Sequence, residues 1–403
     1  MSYPRLVPAE PLPAGPGSCG PRVQDSLSLP LGLVETWAGS ALALIVGGSH
    51  ATRSAAWAKL EGREYCLSDL DVYAVLPDRT SQRAAEARAL ADRPGLRERL
   101  LAWGLAAPLE AAFLVPADLA RLPARPATLE LARQGIVVAG DPAWLAHVPR
   151  WEPGDVSPEE IRLLHENRAF ELLLAWPALA ERAPLARLQG RHAVLKCALD
   201  VVRVEALARG EYPEGARALA EWAVRTGRPV LAGSGRAAFH ALLESAVAWR
   251  SGRVEPLDPA GARGEWRTAT EAWVAAWWAW GGASYAAALR GAKRARLRRR
   301  LRRAFSWPTR SGLGPSLGAR LRYALRGTPQ HRVNASAAVL LLAAAEVGWS
   351  GVDPPLPARA SRALEALGAA GAAARADWPA AARAVTVAWD RWVLDGQRTA
   401  EST

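Results

Sequence analysis

The chain has 403 residues, half of them hydrophobic, which is enough to bury a sizeable core and favours two or three domains over one. The net charge of +12 is local, because residues 272–345 hold 14 Lys or Arg and no Asp or Glu, and the rest of the chain holds 37 basic and 39 acidic residues. The three cysteines lie far apart and do not have the spacing of metal ligands, so the sequence suggests neither a disulfide framework nor a zinc site. This cysteine usage favours a cytoplasmic protein.

The N-terminal part begins with an arm and then a strand that ends in glycines. Residues 1–30 are rich in Pro and Gly, lack the features of a secretion signal, and are interpreted as a flexible arm. A short helix is expected over residues 31–37, followed by a buried strand over residues 41–46 that ends in Gly47-Gly48-Ser49. Glycines at a strand end let the backbone approach a phosphate closely. The pattern predicts one half of a phosphoryl-transfer site.

The other half is expected in the next strand. Residues 59–66 alternate polar and apolar side chains around Glu61-Gly62, which predicts a small hairpin. The strand that follows opens with Ser68-Asp69-Leu70-Asp71. Asp69 and Asp71 are two residues apart, so their carboxylates share one face of the strand and can hold hard cations between them.

The first domain is completed by a helix, a third strand and a fourth. Residues 81–103 predict a polar helix that covers the sheet, and residues 109–115 predict a strand in which Glu110 is the one acid. A charge in a buried strand needs a partner or a metal. Residues 128–140 predict a short helix, a Gly stop and a fourth strand, which closes a domain over residues 31–150.

Everything beyond Ser157-Pro158 is predicted to be helical. A Ser cap, a Pro at the first helical position and acids in the first turn mark the start of a helix. The predicted helices cover residues 161–176, 191–209, 218–225 and 237–250. A helical bundle is assigned to residues 151–255, a linker to residues 256–263, and a basic, Ala- and Trp-rich helical region to residues 256–403. The predicted fold class is therefore α+β, a small mixed sheet followed by all-α domains.

The motifs of the first domain together resemble those of the DNA polymerase β-like nucleotidyltransferase superfamily, including its antibiotic-modifying and minimal members. The residues that carry the resemblance are Gly47, Gly48 and Ser49, the run Ser68-Asp69-Leu70-Asp71, Glu110, and the segment LELARQGIVVAGD at residues 129–141. The resemblance covers roughly residues 31–145.

The resemblance implies transfer of a nucleoside monophosphate from an NTP to a hydroxyl of a small-molecule or protein acceptor, with pyrophosphate release. Two Mg²⁺ ions are implied, bridged to the triphosphate by Asp69 and Asp71, with Glu110 completing the second site near the attacking hydroxyl. Ser49 and the neighbouring backbone of Gly47 and Gly48 would hold the β- and γ-phosphates. The chemistry agrees with this assignment, because in phosphoryl transfer a protein mainly positions the reacting groups and holds cations that neutralise the developing charge.

The sequence departs from the family pattern after the serine. Many relatives continue with a second Gly and an acid, whereas Arg53 and Ser54 occupy those positions here. The spacing from Ser49 to Asp69 is also longer than the commonest one, an excess that a hairpin at Glu61-Gly62 absorbs. These departures concern the details of the substrate more than metal binding.

Three charged residues of the second domain share one helix face, since Lys196, Asp200 and Arg203 are spaced i, i+4, i+7. In relatives, helices after the catalytic domain close over the nucleotide. The resemblance therefore implies that Lys196 reaches a phosphate of the nucleotide. A solvated ladder of ion pairs is the alternative. The spacing Arg187-x4-His192 matches a ribonuclease motif, but Gly190 inside it favours a turn.

The C-terminal region contains an uncharged stretch and a basic cluster. Residues 272–289 carry no charge but are mostly Ala, with Gly281-Gly282, so a buried bundle helix is favoured over an interfacial one and no transmembrane helix is expected. The cluster between Arg290 and Arg303 holds nine basic residues, which suit anionic lipid, nucleic acid or plain solvation. A protein peripheral to the membrane therefore stays an alternative.

Two other classes of function remain open at this point. The same fold can serve a catalytically silent protein that binds nucleotide or a partner. Alternatively, the basic helices would direct a nucleotidyltransferase to nucleic-acid ends.

Overall fold

The computed structural model describes residues 22–229, 231, 234–252 and 257–280, with 333–334, 337–338, 340–342 and 387. The basic cluster between Arg290 and Arg303 and most of the predicted C-terminal region lie outside these residues, as does most of the arm. Within them the chain is α+β, a small mixed sheet with helices followed by long helices, which confirms the predicted fold class.

The first unit is built around a four-stranded sheet of order β5-β4-β1-β6. Its strands are β1 (Ala43–Val46), β4 (Leu70–Val75), β5 (Leu109–Leu114) and β6 (Ile136–Gly140), and a separate hairpin consists of β2 (Trp57–Leu60) and β3 (Arg63–Cys66). β1 runs antiparallel to both of its neighbours, and β4 runs parallel to β5. The hairpin turns at Glu61-Gly62, where both residues have positive φ, as predicted from that dipeptide.

The helices of this unit cover both faces of the sheet. They are α1 (Arg22–Ala38), α2 (Gly48–Ala51), α3 (Arg79–Ala91), α4 (Leu96–Ala102), α5 (Pro116–Leu119) and α6 (Pro126–Gln134), and two 3-10 helices follow at Pro142–His147 and Pro153–Asp155. Successive β1 side chains point to opposite faces, so Leu44 and Val46 pack with α1 while Ala43 and Ile45 pack with Leu131 of α6. The central strand is therefore buried on both sides, as its apolar run predicted.

Two helices of this unit differ from the predictions. α1 begins at Arg22, so residues 22–30 of the predicted arm belong to a helix. The helix predicted over residues 81–103 is two helices, α3 and α4, because Pro94 and the left-handed Gly95 interrupt it.

The second unit is a bundle of long helices. These are α7 (Pro158–Ala180), α8 (Pro184–Leu207), α9 (Gly215–Thr226), α10 (Gly235–Arg250) and α11 (Pro259–Trp280). α7 starts as predicted, with the Ser157 hydroxyl accepting a hydrogen bond from the Glu160 backbone N–H. Gly190 does not form the predicted turn. It lies inside α8, where the missing side chain lets the helix pack closely on Ala175 and Ala178 of α7.

α11 begins inside the predicted linker and packs on α7 and α8. The His165 ring stacks on Trp273 with 4.6 Å between centroids, and the Trp273 indole N–H donates to the His165 carbonyl at 2.8 Å. The Trp266 indole N–H donates to the Leu172 carbonyl at 2.7 Å. Residues 259–280 therefore belong to the bundle, not to a separate third region, and Ala272, Trp273 and Ala276 are buried. No helix among the described residues is both long and apolar enough to span a membrane.

Candidate functional site

A cleft of about 270 Å³ lies between the two units, where one end of the sheet faces the helical bundle. The sheet unit contributes side chains from α2, β4, β5 and α6, and the bundle contributes side chains from α7, α8, α9 and α10. The predicted residues Gly48, Ser49, Asp69, Asp71, Glu110 and Lys196 all line this cleft. Residues that the sequence separates by more than a hundred positions thus meet at one site.

The three predicted carboxylates come together because of the strand register. Asp71 of β4 is paired with Glu110 of the parallel strand β5, so the two side chains lie next to each other on one face. Asp69 precedes Asp71 by two residues and lines the same cleft. The intervening Leu70 and the following Val72 point into the core instead, which keeps the acids on the cleft side.

The proximity of these acids changes their protonation. Burial raises the pKa of Asp71 to about 7, and the neighbouring charges of Glu110 and Asp69 contribute to the rise. The pKa of Glu110 is raised as well, first because the surrounding protein displaces water and then because of Asp69. Burial alone would also raise the pKa of Asp69, but the charge and hydrogen bond of Lys196 lower it overall.

Lys196 of α8 reaches across the cleft to the sheet unit. Its Nζ lies 2.6 Å from Asp69 Oδ2 and 3.7 Å from Glu171 Oε1. Burial disfavours the ammonium group, but Glu171 and Asp69 outweigh it and raise the pKa of Lys196. The residue predicted to bind a phosphate therefore pairs with a predicted metal ligand in this structure.

Behind Lys196, further charges form a network that holds α7 against α8. Arg168 Nε and Arg203 Nη1 each lie 2.6 Å from a different oxygen of Asp200, which is 4% exposed. Arg168 also bonds to Glu171. The face shared by Lys196, Asp200 and Arg203 is thus not the solvated ladder considered as an alternative, because it faces the cleft and Arg168.

Both glycines of the strand end lie against Asp71, and Gly48 is required there. The Gly47 N–H donates to the Asp71 carbonyl at 3.0 Å. Gly48 has a φ of +62°, and a Cβ on it would lie 2.5 Å from Asp71 Oδ2. Since a side chain at position 48 is excluded both by the backbone conformation and by the carboxylate, Gly48 lets α2 and β4 approach each other closely.

The segment that departs from the family pattern has a left-handed residue. Arg53 adopts a φ of +56°, a conformation that favours glycine, and its side chain is exposed. The Thr52 and Ser54 hydroxyls are 2.7 Å apart, and the Ser54 N–H donates to the Ser49 carbonyl at 2.8 Å. The chain after Ser49 is therefore a tight polar turn beside the cleft.

Sequence reasoning did not single out Arg168, Glu171 or Arg250 as cleft residues. Arg168 and Glu171 are spaced i, i+3 on α7, a signal that identifies a helix face but not what it faces. Arg250 ends α10. His192 of the ribonuclease-like spacing lies in the helix, buried, and accepts a hydrogen bond at 3.2 Å from the Trp249 indole N–H. His192 thus packs with Trp249 in the bundle, and it also lines the cleft.

The donor set suits hard cations. Asp69, Asp71 and Glu110 supply carboxylate oxygens, which Mg²⁺ prefers, and the raised pKa values of Asp71 and Glu110 report a repulsion that a divalent cation would relieve. Among the described residues, no three His, Cys, Asp or Glu side chains are grouped closely enough to hold a metal ion. Lys196 instead neutralises Asp69.

No protein-family model matches the chain, and a comparison with curated proteins gives no match.

Proposed function

We propose that the protein is a Mg²⁺-dependent nucleotidyltransferase of the DNA polymerase β-like type, which moves a nucleoside monophosphate from an NTP to a hydroxyl of a small-molecule or protein acceptor. The observation that carries the proposal is the convergence of Asp69, Asp71 and Glu110 with Gly48 and Ser49 in one cleft, next to Gly47, which bonds to the Asp71 backbone. The sheet order, with β1 antiparallel to β4 and β4 parallel to β5, supports it.

In the proposed reaction the acceptor oxygen attacks the α-phosphorus, the bond to the β-phosphate oxygen breaks, and pyrophosphate leaves. The hydroxyl proton passes to one of the cleft carboxylates. Asp69 and Asp71 would hold the Mg²⁺ ions, with Glu110 as a further ligand near the acceptor. Bound Mg²⁺ neutralises the charge that develops on the phosphate oxygens. Ser49 and the glycine backbone orient the triphosphate, and the helical bundle closes the other side of the cleft.

The test measures transfer of label from α-labelled NTPs into fractions of a cell lysate, together with pyrophosphate release. Wild type should transfer label from at least one NTP in the presence of Mg²⁺. Asp71→Asn should lower the rate by at least about 100-fold, since a metal-ligating group contributes several kcal/mol to the transition state. Glu98→Gln, which changes an exposed carboxylate of α4, serves as the matched control.

A second candidate is a protein that binds nucleotide without transferring it. The ion pair between Lys196 and Asp69 favours this candidate, because it engages a carboxylate that catalysis needs. Binding of Mg²⁺-NTP by wild type without label transfer to any fraction would support it. Absence of both binding and transfer would overturn both candidates.

A further inference from the structure

Among the described residues, four Lys or Arg side chains line the cleft, and three of them are paired with carboxylates. The pairs are Lys196 with Asp69, Arg203 with Asp200, and Arg168 with Asp200 and Glu171. The fourth cation is Arg250, the last residue of α10, and among the described residues no carboxylate lies within 4.0 Å of it. Burial lowers the pKa of Arg250, the direction expected for a cation that lacks a close counter-ion.

Arg250 is nevertheless held in one position. Its Nη1 donates to the Ser54 carbonyl at 3.0 Å and to the Ser68 hydroxyl at 3.2 Å. These two serines bracket the β2–β3 hairpin, one before it and one after it. Of the guanidinium nitrogens only Nη1 has a hydrogen-bond partner in the described part of the chain, so Nε and Nη2 keep their donors for a ligand.

The hydroxyl groups near Arg250 suit an oxyanion such as a phosphate. Gly48, Ser49, Thr52 and Ser54 line the same cleft as Arg250. The Ser54 N–H donates to the Ser49 carbonyl, and Gly48 lies against Asp71 on the other side. Arg250 is thus joined through this short polar turn to the place where the carboxylates meet. A planar guanidinium with free donors is well suited to bind phosphate oxygens in a bidentate manner.

We propose that Arg250 binds the terminal phosphates of the nucleoside triphosphate, together with the Ser49 and Ser54 hydroxyls, and so lets the helical bundle distinguish triphosphates from monophosphates. This inference rests on the proposed function, because it names the part of the substrate that the bundle contacts. It adds a cationic side chain of the bundle to the phosphate contacts that the proposed function assigns to Ser49 and the glycine backbone.

The experiment compares wild type with three variants by calorimetric titration in Mg²⁺ buffer. The variants are Arg250→Gln, Arg250→Lys, and the control Arg236→Gln, which changes an exposed arginine of the same helix. The probes are the NTP that wild type binds most tightly, the corresponding nucleoside monophosphate, and inorganic tripolyphosphate. Thermal unfolding verifies that each variant is folded.

Arg250→Gln should weaken binding of the NTP and of tripolyphosphate by about 10- to 100-fold, the range for a hydrogen bond to a charged group. The monophosphate affinity should change by less than about threefold, and Arg250→Lys should recover part of the loss because it restores the charge. Arg236→Gln should behave like wild type.

Each contrary outcome has a distinct meaning. If Arg250→Gln weakens monophosphate and triphosphate binding equally, Arg250 only holds the hairpin and the inference is overturned. If wild type binds an NTP and Arg250→Gln binds it unchanged, the inference fails while the proposed function stands. If wild type binds tripolyphosphate through Arg250 but no NTP, the anion site stands and the proposed function fails. If no probe binds to wild type, both are overturned.

Discussion

Lys196 Nζ lies 2.6 Å from Asp69 Oδ2, so the ammonium group of a helix in the bundle neutralises one of the three acids that meet at the edge of the sheet. Both side chains are largely shielded, with exposures of 20% and 29%. The pair joins the two units across the cleft. It also places a protein cation next to a carboxylate that the proposed reaction assigns to Mg²⁺.

Removing this ammonium group should destabilise the fold and make stability depend on Mg²⁺. Lys196→Ala leaves Asp69 and Glu171 without their shared cation, which should cost about 1–2 kcal/mol for a partly buried pair. A divalent cation bound at Asp69 would replace the lost charge. Mg²⁺ at about 10 mM, roughly the concentration that fills a weak carboxylate site, should therefore raise the Tm of the variant more than that of wild type. Lys59→Ala, at an exposed lysine of β2, is the control. An equal Mg²⁺ effect on all three proteins would contradict this prediction.

Asp71→Asn should stabilise the protein at neutral pH although it abolishes the proposed activity. The pKa of Asp71 is raised to about 7, so the folded state holds this proton more tightly than the unfolded state does. The resulting stabilisation is complete below the usual pKa of an aspartate, about 3.9, and is lost as the pH rises to about 7. At pH 8 the variant should gain about 1–3 kcal/mol after solvent screening is allowed for, and at pH 4 little. Urea denaturation at the two pH values measures the free energy of unfolding of both proteins. A variant less stable than wild type at pH 8 would show that the charge of Asp71 does not destabilise the fold.

Buried neutral histidines should make the protein sensitive to acid. Burial lowers the pKa of His165 to about 3, against which its hydrogen bond to the Trp273 carbonyl acts weakly. As the pH decreases, His165 is protonated near pH 6.5 in the unfolded state but only near pH 3 in the folded state. The free energy of unfolding therefore falls as the pH decreases between these values. His165→Phe should flatten the dependence of the unfolding free energy on pH by about 1.4 kcal/mol per pH unit. Denaturation of both proteins from pH 6 to pH 4 tests this, and parallel curves would show that His165 is protonated in the fold.

Two substitutions at left-handed residues beside the cleft should have opposite effects. Arg53→Gly relieves a positive φ at an exposed side chain and should raise the free energy of unfolding by about 0.5 kcal/mol, the balance of strain relief and added freedom in the unfolded chain. Gly48→Ala places a Cβ 2.5 Å from Asp71 Oδ2 at a φ of +62°. It should cost at least about 1 kcal/mol and weaken Mg²⁺-NTP binding, because the carboxylate must move. Denaturation and calorimetric titration measure both. Similar effects of the two changes would mean that Asp71 does not determine the need for glycine at position 48.

Much of the sheet unit was predictable because its signals are local. The apolar run of β1, the hairpin at Glu61-Gly62, the strand that begins near Asp69 and the cap at Ser157 each depend on a few neighbouring residues. The length of α1 and the break between α3 and α4 were missed, as was the helical state of Gly190. The break between α3 and α4 follows from a local signal that the prediction overlooked, Pro94 followed by the left-handed Gly95. The helical state of Gly190 depends instead on packing that overrides local preference, because Gly190 lies against Ala175 and Ala178.

The candidate site divides in the same way. The sequence by itself determined that Asp69 and Asp71 share a face, that a third acid follows in the next sheet strand, and that glycines precede them, because strand geometry enforces the period of two. Only the tertiary structure decided that Lys196 pairs with Asp69 and that Glu171 and Arg168 close the cleft. It also decided that Arg250 bonds to Ser54 and Ser68 while no carboxylate in the described part of the chain lies within 4.0 Å of it. Such contacts join residues up to 196 positions apart, and their partners are selected by how the helices pack on the sheet, which no local pattern encodes.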